Sequence, residues 1–255
     1  MLRHSNAYVV WRSQSQQMLD FAVLVTTAAP QLAHALAAHE LDSRAYLATN
    51  PSFRASREPY STEKRTLKEY PTVLGATLLL SIFSYFEAYF FSLIDEVLQF
   101  HGGEEGVERA IRKQFSPRAR SPEADRALAL LRMNHNPGRA DQYRKHVAAL
   151  RNEPVLWPSQ RLMLFGLRQV VAQRKRWKSV HIPDLMADLL TYPVSQAEHD
   201  RFHTIRDQRN GIAHGRVLGH DLRKAVDASN FFRELSLRLD THVVENYLVI
   251  ERYAH

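Results

Sequence analysis

The run from Pro71 to Phe100 constrains this chain more than any other stretch. It lies between a proline suited to a first helical turn and a Gly102-Gly103 stop. Leu74, Leu78, Leu79, Ile82, Phe83, Phe86, Phe90, Leu93, Ile94, Val97 and Phe100 fall around nearly the whole helix, so most of its surface must be covered. Val73 to Ile94 is about as long as the roughly 20 residues a membrane span needs. Against a membrane stand Glu87 in mid-run, where a carboxylate is costly in lipid, and the serines and tyrosines that interrupt the run. The expectation is the central helix of a bundle, with one side at a subunit contact, no second candidate span and no membrane partner.

Composition agrees with a helical reading. The 255 residues allow ample core, and nine glycines with little strand-like alternation point to an all-α fold. With no cysteine, disulfides, thiolate catalysis and cysteine-bound zinc are excluded, and a reducing cytoplasm fits. The start, Met1 to Asn6, lacks a signal peptide's apolar run, so a cytoplasmic location is expected. A formal charge of +7 favours anionic partners, nucleic acid first among them. The excess of arginine over lysine, 27 to 7, is better explained by GC-rich coding than by phosphate binding.

Along the chain, residues 7 to 41 read as helix, with Pro30 starting or kinking a second segment. Residues 42 to 70 read as a connector with a helical turn near Glu63 to Tyr70. Short helices are expected over Glu104 to Phe115, from Ser121-Pro122-Glu123 to Met133, and over 139 to 151, which is basic. Trp157-Pro158-Ser159 opens a further core helix that ends in Arg174-Lys175-Arg176-Trp177-Lys178. That cluster suits a phosphate backbone with a base stacked on Trp177, so Arg174, Arg176, Trp177 and Lys178 are candidate RNA contacts. The competing reading, cations complementing a helix C-terminus while Trp177 packs, is favoured. Ser195 and Glu198 have capping-box spacing and open a helix through Phe202 and Ile205. His199 and His203 are four apart, but no carboxylate completes a metal site, and no metal or cofactor is expected. A last helix is expected over roughly Asp221 to Ile250.

The segment Arg206-Asp207-Gln208-Arg209-Asn210-Gly211-Ile212-Ala213-His214-Gly215 gathers phosphate-binding and proton-transfer groups. Spacing alone does not distinguish it. Arginine followed by histidine after four to six residues is expected roughly four times by chance at this composition. Such pairs are Arg139 to His146, Arg174 to His181, Arg176 to His181, and Arg209 to His214. Only the last has Asn directly after Arg, an apolar-small pair before His, and Gly after it. On one continuous helix Arg209 and His214 would point about 140° apart. They can address one phosphate if the helix breaks near Asn210-Gly211, or if two chains face each other.

This segment resembles the Arg-Asn-(three residues)-His signature of the HEPN superfamily, small all-α domains that include many endoribonucleases. The setting Ser84-Tyr85-Phe86-Glu87-Ala88-Tyr89 and the Trp-Pro-Ser helix start add to a likeness covering about residues 70 to 250. It is greatest to the group termed RiboL-PSP-HEPN, linked to bacterial toxin and antiviral systems. The resemblance implies a bundle of four or five helices within one all-α domain over 1–255. Residues 1–69 then add N-terminal helices and a connector, and about 104–155 a helical insertion. It further implies a homodimer with a composite cleft and metal-independent RNA cleavage. His214 would act as acid or base, Arg209 would stabilise the phosphorane, and Asn210 would orient phosphate or histidine. Glu87 would orient Arg209 or His214, or else form a structural ion pair with another arginine. Arg206 would join the RNA contacts, and an antitoxin or nucleotidyltransferase is an implied partner. The competing class is a non-catalytic dimerisation or nucleotide-binding module.

Overall fold

The computed structural model describes residues 3–41, 60–106, 109, 121–132, 136–151, 153, 155, 166, 169–170 and 172–250. The chain is all-α, and no strand occurs among the described residues. Among the described residues its helices include α1 (Asn6–Leu41), α2 (Ser61–Phe100), α3 (Pro122–Leu131), α4 (Ala140–Ala149), α5 (Ile182–Asp188), α6 (Gln196–Ala213) and α7 (Leu222–Asn246). Residues 1–97 with 178–249 form one compact unit, and residues 98–177 with 250–255 form a second. The connector at 42–59, most of 107–120, and the Trp157-Pro158-Ser159 helix start with most of its apolar set lie outside the described residues.

In the first unit, α1 and α2 run antiparallel. At one end Glu96 of α2 accepts from the backbone N–H groups of Asn6 and Ala7, both at 2.9 Å. At the other end His39 stacks edge-on to Tyr60 and Glu40 pairs with Lys64. The buried residues Tyr8, Ser15, Ala22, Ala29 and Leu36 recur every seven positions, the spacing of a coiled-coil seam. Pro71 lies inside its helix rather than in the first turn, and Pro30 starts no new helix. α1 passes through Pro30 as one helix, and α2 begins at Ser61 and runs through Pro71. An interior proline typically costs about 3 kcal/mol of helix stability, more than an exposed pair such as Glu40 with Lys64 returns. By length and composition both α1 and α2 are apolar enough to cross a membrane, which corrects the expectation of a single such segment. Half of the apolar window of α2 is buried inside the protein.

The core forms where α2, α6 and α7 meet. Phe83, Phe86, Phe202 and Phe232 are almost wholly buried, and their ring centroids lie 4.5 Å (Phe86–Phe232) to 6.2 Å (Phe86–Phe202) apart. Ser84, Ala88 and Ser92 face outward on α2. α1 is anchored to α7 through a carboxylate with no exposure. Asp240 accepts from the Ser5 amide at 3.1 Å, from the Ser5 hydroxyl, and pairs with His4 at 2.8 Å. The Ser5 hydroxyl in turn accepts from the Tyr8 N–H, capping the first turn of α1.

In the second unit, Ser121 caps α3 by accepting from the Ala124 N–H at 3.1 Å, as its sequence signature anticipates. Glu153 accepts from the Ser121 hydroxyl and amide, and Ala124, Ala127 and Leu150 form a small core between α3 and α4.

Asp240→Ala strands two Ser5 donors in a buried site. It is expected to destabilise the chain by about 3 kcal/mol, read as a fall in the urea midpoint with unchanged slope.

Candidate active site

The Arg-Asn-(three residues)-His segment ends α6. Ser195 and Glu198 start that helix with a capping box: the Ser195 hydroxyl accepts from the Glu198 N–H at 3.3 Å, and Glu198 accepts from the Ser195 N–H at 2.9 Å. Burial opposes the Glu198 charge. Hydrogen bonds from Ser195 and the Arg238 guanidinium outweigh it, so the carboxyl lies below its usual range.

The helix does not break near Asn210-Gly211. It continues to Ala213, with a β-carbon at Gly211 meeting only Val217 at an ordinary 3.6 Å. The stop is Gly215, at φ +67°. Its N–H donates to the Ile212 carbonyl at 2.9 Å, and the Arg216 N–H donates to the Gly211 carbonyl at 2.9 Å. These two bonds make a Schellman motif, which needs a left-handed residue and so favours glycine. His214 is the C-cap residue and is exposed.

Arg209 turns the other way. Its Nη1 donates to Asn210 Oδ1 at 3.0 Å, and its Nη2 lies 3.9 Å from Glu87 Oε2. Its guanidinium carbon sits 5.3 Å from the Phe83 ring centroid, and its buried Nε has no hydrogen-bond partner among the described residues. Among the arginines open to Glu87, the structure therefore supplies Arg209. Because Asn210 spends its oxygen on Arg209, its amide nitrogen is the end left for a ligand. Five helical steps separate Arg209 from His214, about 140° round and about 7.5 Å along the axis.

The loop after the motif docks on α2. The His220 N–H donates to the Thr72 carbonyl at 3.0 Å, and Gly75 packs so tightly that a β-carbon there would lie 2.2 Å from the His220 carbonyl oxygen.

Two features escaped the sequence reading. Arg206, expected among the RNA contacts, is held within its own helix: its Nη1 lies 2.9 Å from His203 Nδ1, and Asp207 Oδ1 accepts from its Nε and Nη2. His203 Nε2 in turn lies 3.2 Å from His199 Nε2. The spacing of 199, 203 and 206 on an amphipathic helix was the available signal. The basic cluster differs from the expected helix end. Arg174–Arg176 form a 3-10 turn, the Trp177 N–H donates to the Arg174 carbonyl at 3.1 Å, and Arg176 and Lys178 are exposed. Arg174, Arg176 and Trp177 belong to the second unit and Lys178 to the first.

No family model, curated protein or solved structure matches the chain.

The two motif glycines are expected to respond oppositely. Gly211→Ala raises stability by about 0.5–1 kcal/mol, since the position is helical and unobstructed. Gly215→Ala lowers it by about 1–2 kcal/mol, since the position is left-handed. Thermal unfolding of both variants checks this. For Glu198, a lowered folded pKa means a contribution present above the ordinary carboxyl value and lost as pH falls through the folded one. Glu198→Gln is therefore expected to be less stable than wild type at pH 7, with the difference shrinking as pH falls below about 4.3 in urea titrations.

Proposed function

We propose that the chain is a metal-independent endoribonuclease of the HEPN kind, working as a homodimer and serving as a toxin or antiviral-defence effector. The observation that carries this reading is the linked set Glu87, Arg209 and Asn210 one turn before an exposed His214. Each group has the chemistry its role requires. The imidazole of His214 takes the ribose 2′-hydroxyl proton or gives a proton to the departing 5′-oxygen. The 2′-oxygen forms a bond to phosphorus as the bond to the 5′-oxygen breaks, leaving a 2′,3′-cyclic phosphate and a 5′-hydroxyl. Arg209 stabilises the charge on the phosphorane, and Glu87 holds the guanidinium in place beforehand. Asn210 donates from its amide nitrogen to the phosphate.

The unbroken helix supports the dimeric arrangement. Arg209 and His214 leave α6 on different sides, so a single phosphate receives His214 from one copy and the arginine from the other. One observation favours the competing reading, a non-catalytic dimerisation or nucleotide-binding module. The Arg209 guanidinium is directed at Asn210, Glu87 and Phe83, contacts that serve packing as well as they serve catalysis.

Incubating the purified chain with RNA and mapping the ends separates the two. Wild type is expected to leave cyclic phosphate ends on RNA and to spare DNA, with His214→Ala slower by about 10²–10⁴-fold. Absence of cleavage by folded wild type, or full activity in folded His214→Ala, defeats the proposal.

A further inference from the structure

His199, His203, Arg206 and Asn210 lie along one stripe of α6, because steps of three and four residues return to nearly the same side of a helix. The first three are joined in series, and the chemistry of the guanidinium sets the direction of each bond. Arg206 has only donors, so across the 2.9 Å contact His203 Nδ1 must accept. The His203 proton then sits on Nε2 and donates to His199 Nε2 at 3.2 Å. The His199 proton is left on Nδ1, 3.4 Å from Asp200 Oδ1. From its other edge Arg206 gives Nε at 3.1 Å and Nη2 at 2.7 Å to Asp207 Oδ1. Among the described residues three of the five guanidinium N–H groups are thus used and two remain. A neutral imidazole adds no charge attraction to an arginine. What it adds is orientation, which bidentate phosphate recognition requires.

We propose that His203 is a positioning residue that, while neutral, holds the Arg206 guanidinium so that its two remaining N–H groups bind the RNA phosphate next to the one at Arg209, Asn210 and His214. The identity of the ligand rests on the endoribonuclease reading above. His203 is faced by His199, Arg206 and Asp207 on its own helix and by Asp184 of α5. Burial, followed by Arg206 and His199, holds the imidazole below its ordinary range, against the opposing pull of Asp207 and Asp184. Protonation at Nδ1 would set N–H against the guanidinium N–H and release Arg206, so acid weakens the phosphate contact.

The test titrates a fluorescein-labelled single-stranded oligoribonucleotide with the full chain carrying His214→Ala, and follows fluorescence anisotropy. Adding His203→Ala or Arg206→Ala is expected to weaken binding about tenfold at pH 7.5 and to lower the slope of log affinity against log salt by about 0.7. Adding His203→Asn, whose Oδ1 replaces the imidazole acceptor and takes no proton, restores the affinity and removes the weakening seen between pH 7.5 and 5.5. Unchanged affinity in His203→Ala, or a folded His203→Asn as weak as His203→Ala, overturns the proposal. If His203→Ala loses helicity, Arg206→Lys tests the same grip: tenfold weaker binding supports it and unchanged affinity overturns it. Binding that depends on His203 in a chain that cuts no RNA defeats the nuclease reading alone. Cleavage with binding indifferent to His203 defeats the positioning role alone, and absence of RNA binding defeats both.

Discussion

Phe83 and Phe86 of α2 meet Phe202 of α6 and Phe232 of α7 in a core that excludes water, and this contact fixes the rotation of α6 about its own axis. Losing one such ring typically costs 3–5 kcal/mol, more than any surface pair in the molecule can return. Arg209 lies seven residues after Phe202, two turns on, so it emerges on the inner side. Glu87 lies four residues after Phe83 and next to Phe86. The seam that buries the phenylalanines is thus the one that brings guanidinium to carboxylate. Turning α6 to expose Arg209 would pull Phe202 out of the core.

A second constraint is polar. A buried carboxylate is tolerable only when its oxygens are filled, and Asp240 is filled by the N-terminal residues His4 and Ser5. Glu96 meanwhile takes the first two N–H groups of α1. α1 is therefore held at its start by groups on α7 and α2, hundreds or scores of residues away in sequence. Its outer side keeps Phe21, Val23 and Leu24 half or more exposed.

The motif itself has a physical account that needs no reference to catalysis at two of its positions. Gly215 is the left-handed residue that ends α6, and Asn210 anchors the guanidinium of its neighbour. His214 is exposed at the end of α6, and its backbone N–H points to the Asn210 and Ile212 carbonyls.

Much of the fold was legible because it follows from local rules. The apolar run of α2, the glycine stop at 102–103, the Ser121 cap and the Ser195–Glu198 box each depend on neighbours a few positions away, and each forms as read. The helical class and most helix starts follow from periodicity and capping, which are properties of short segments. Pro71 reads as a helix start and lies inside the helix instead, since α2 already begins at Ser61. Packing between helices, by contrast, selects which arginine faces Glu87, and it brings Asp240 onto Ser5. Those pairings depend on how far each helix is turned about its axis, and that angle is set by the packing of the whole core rather than by any stretch within it.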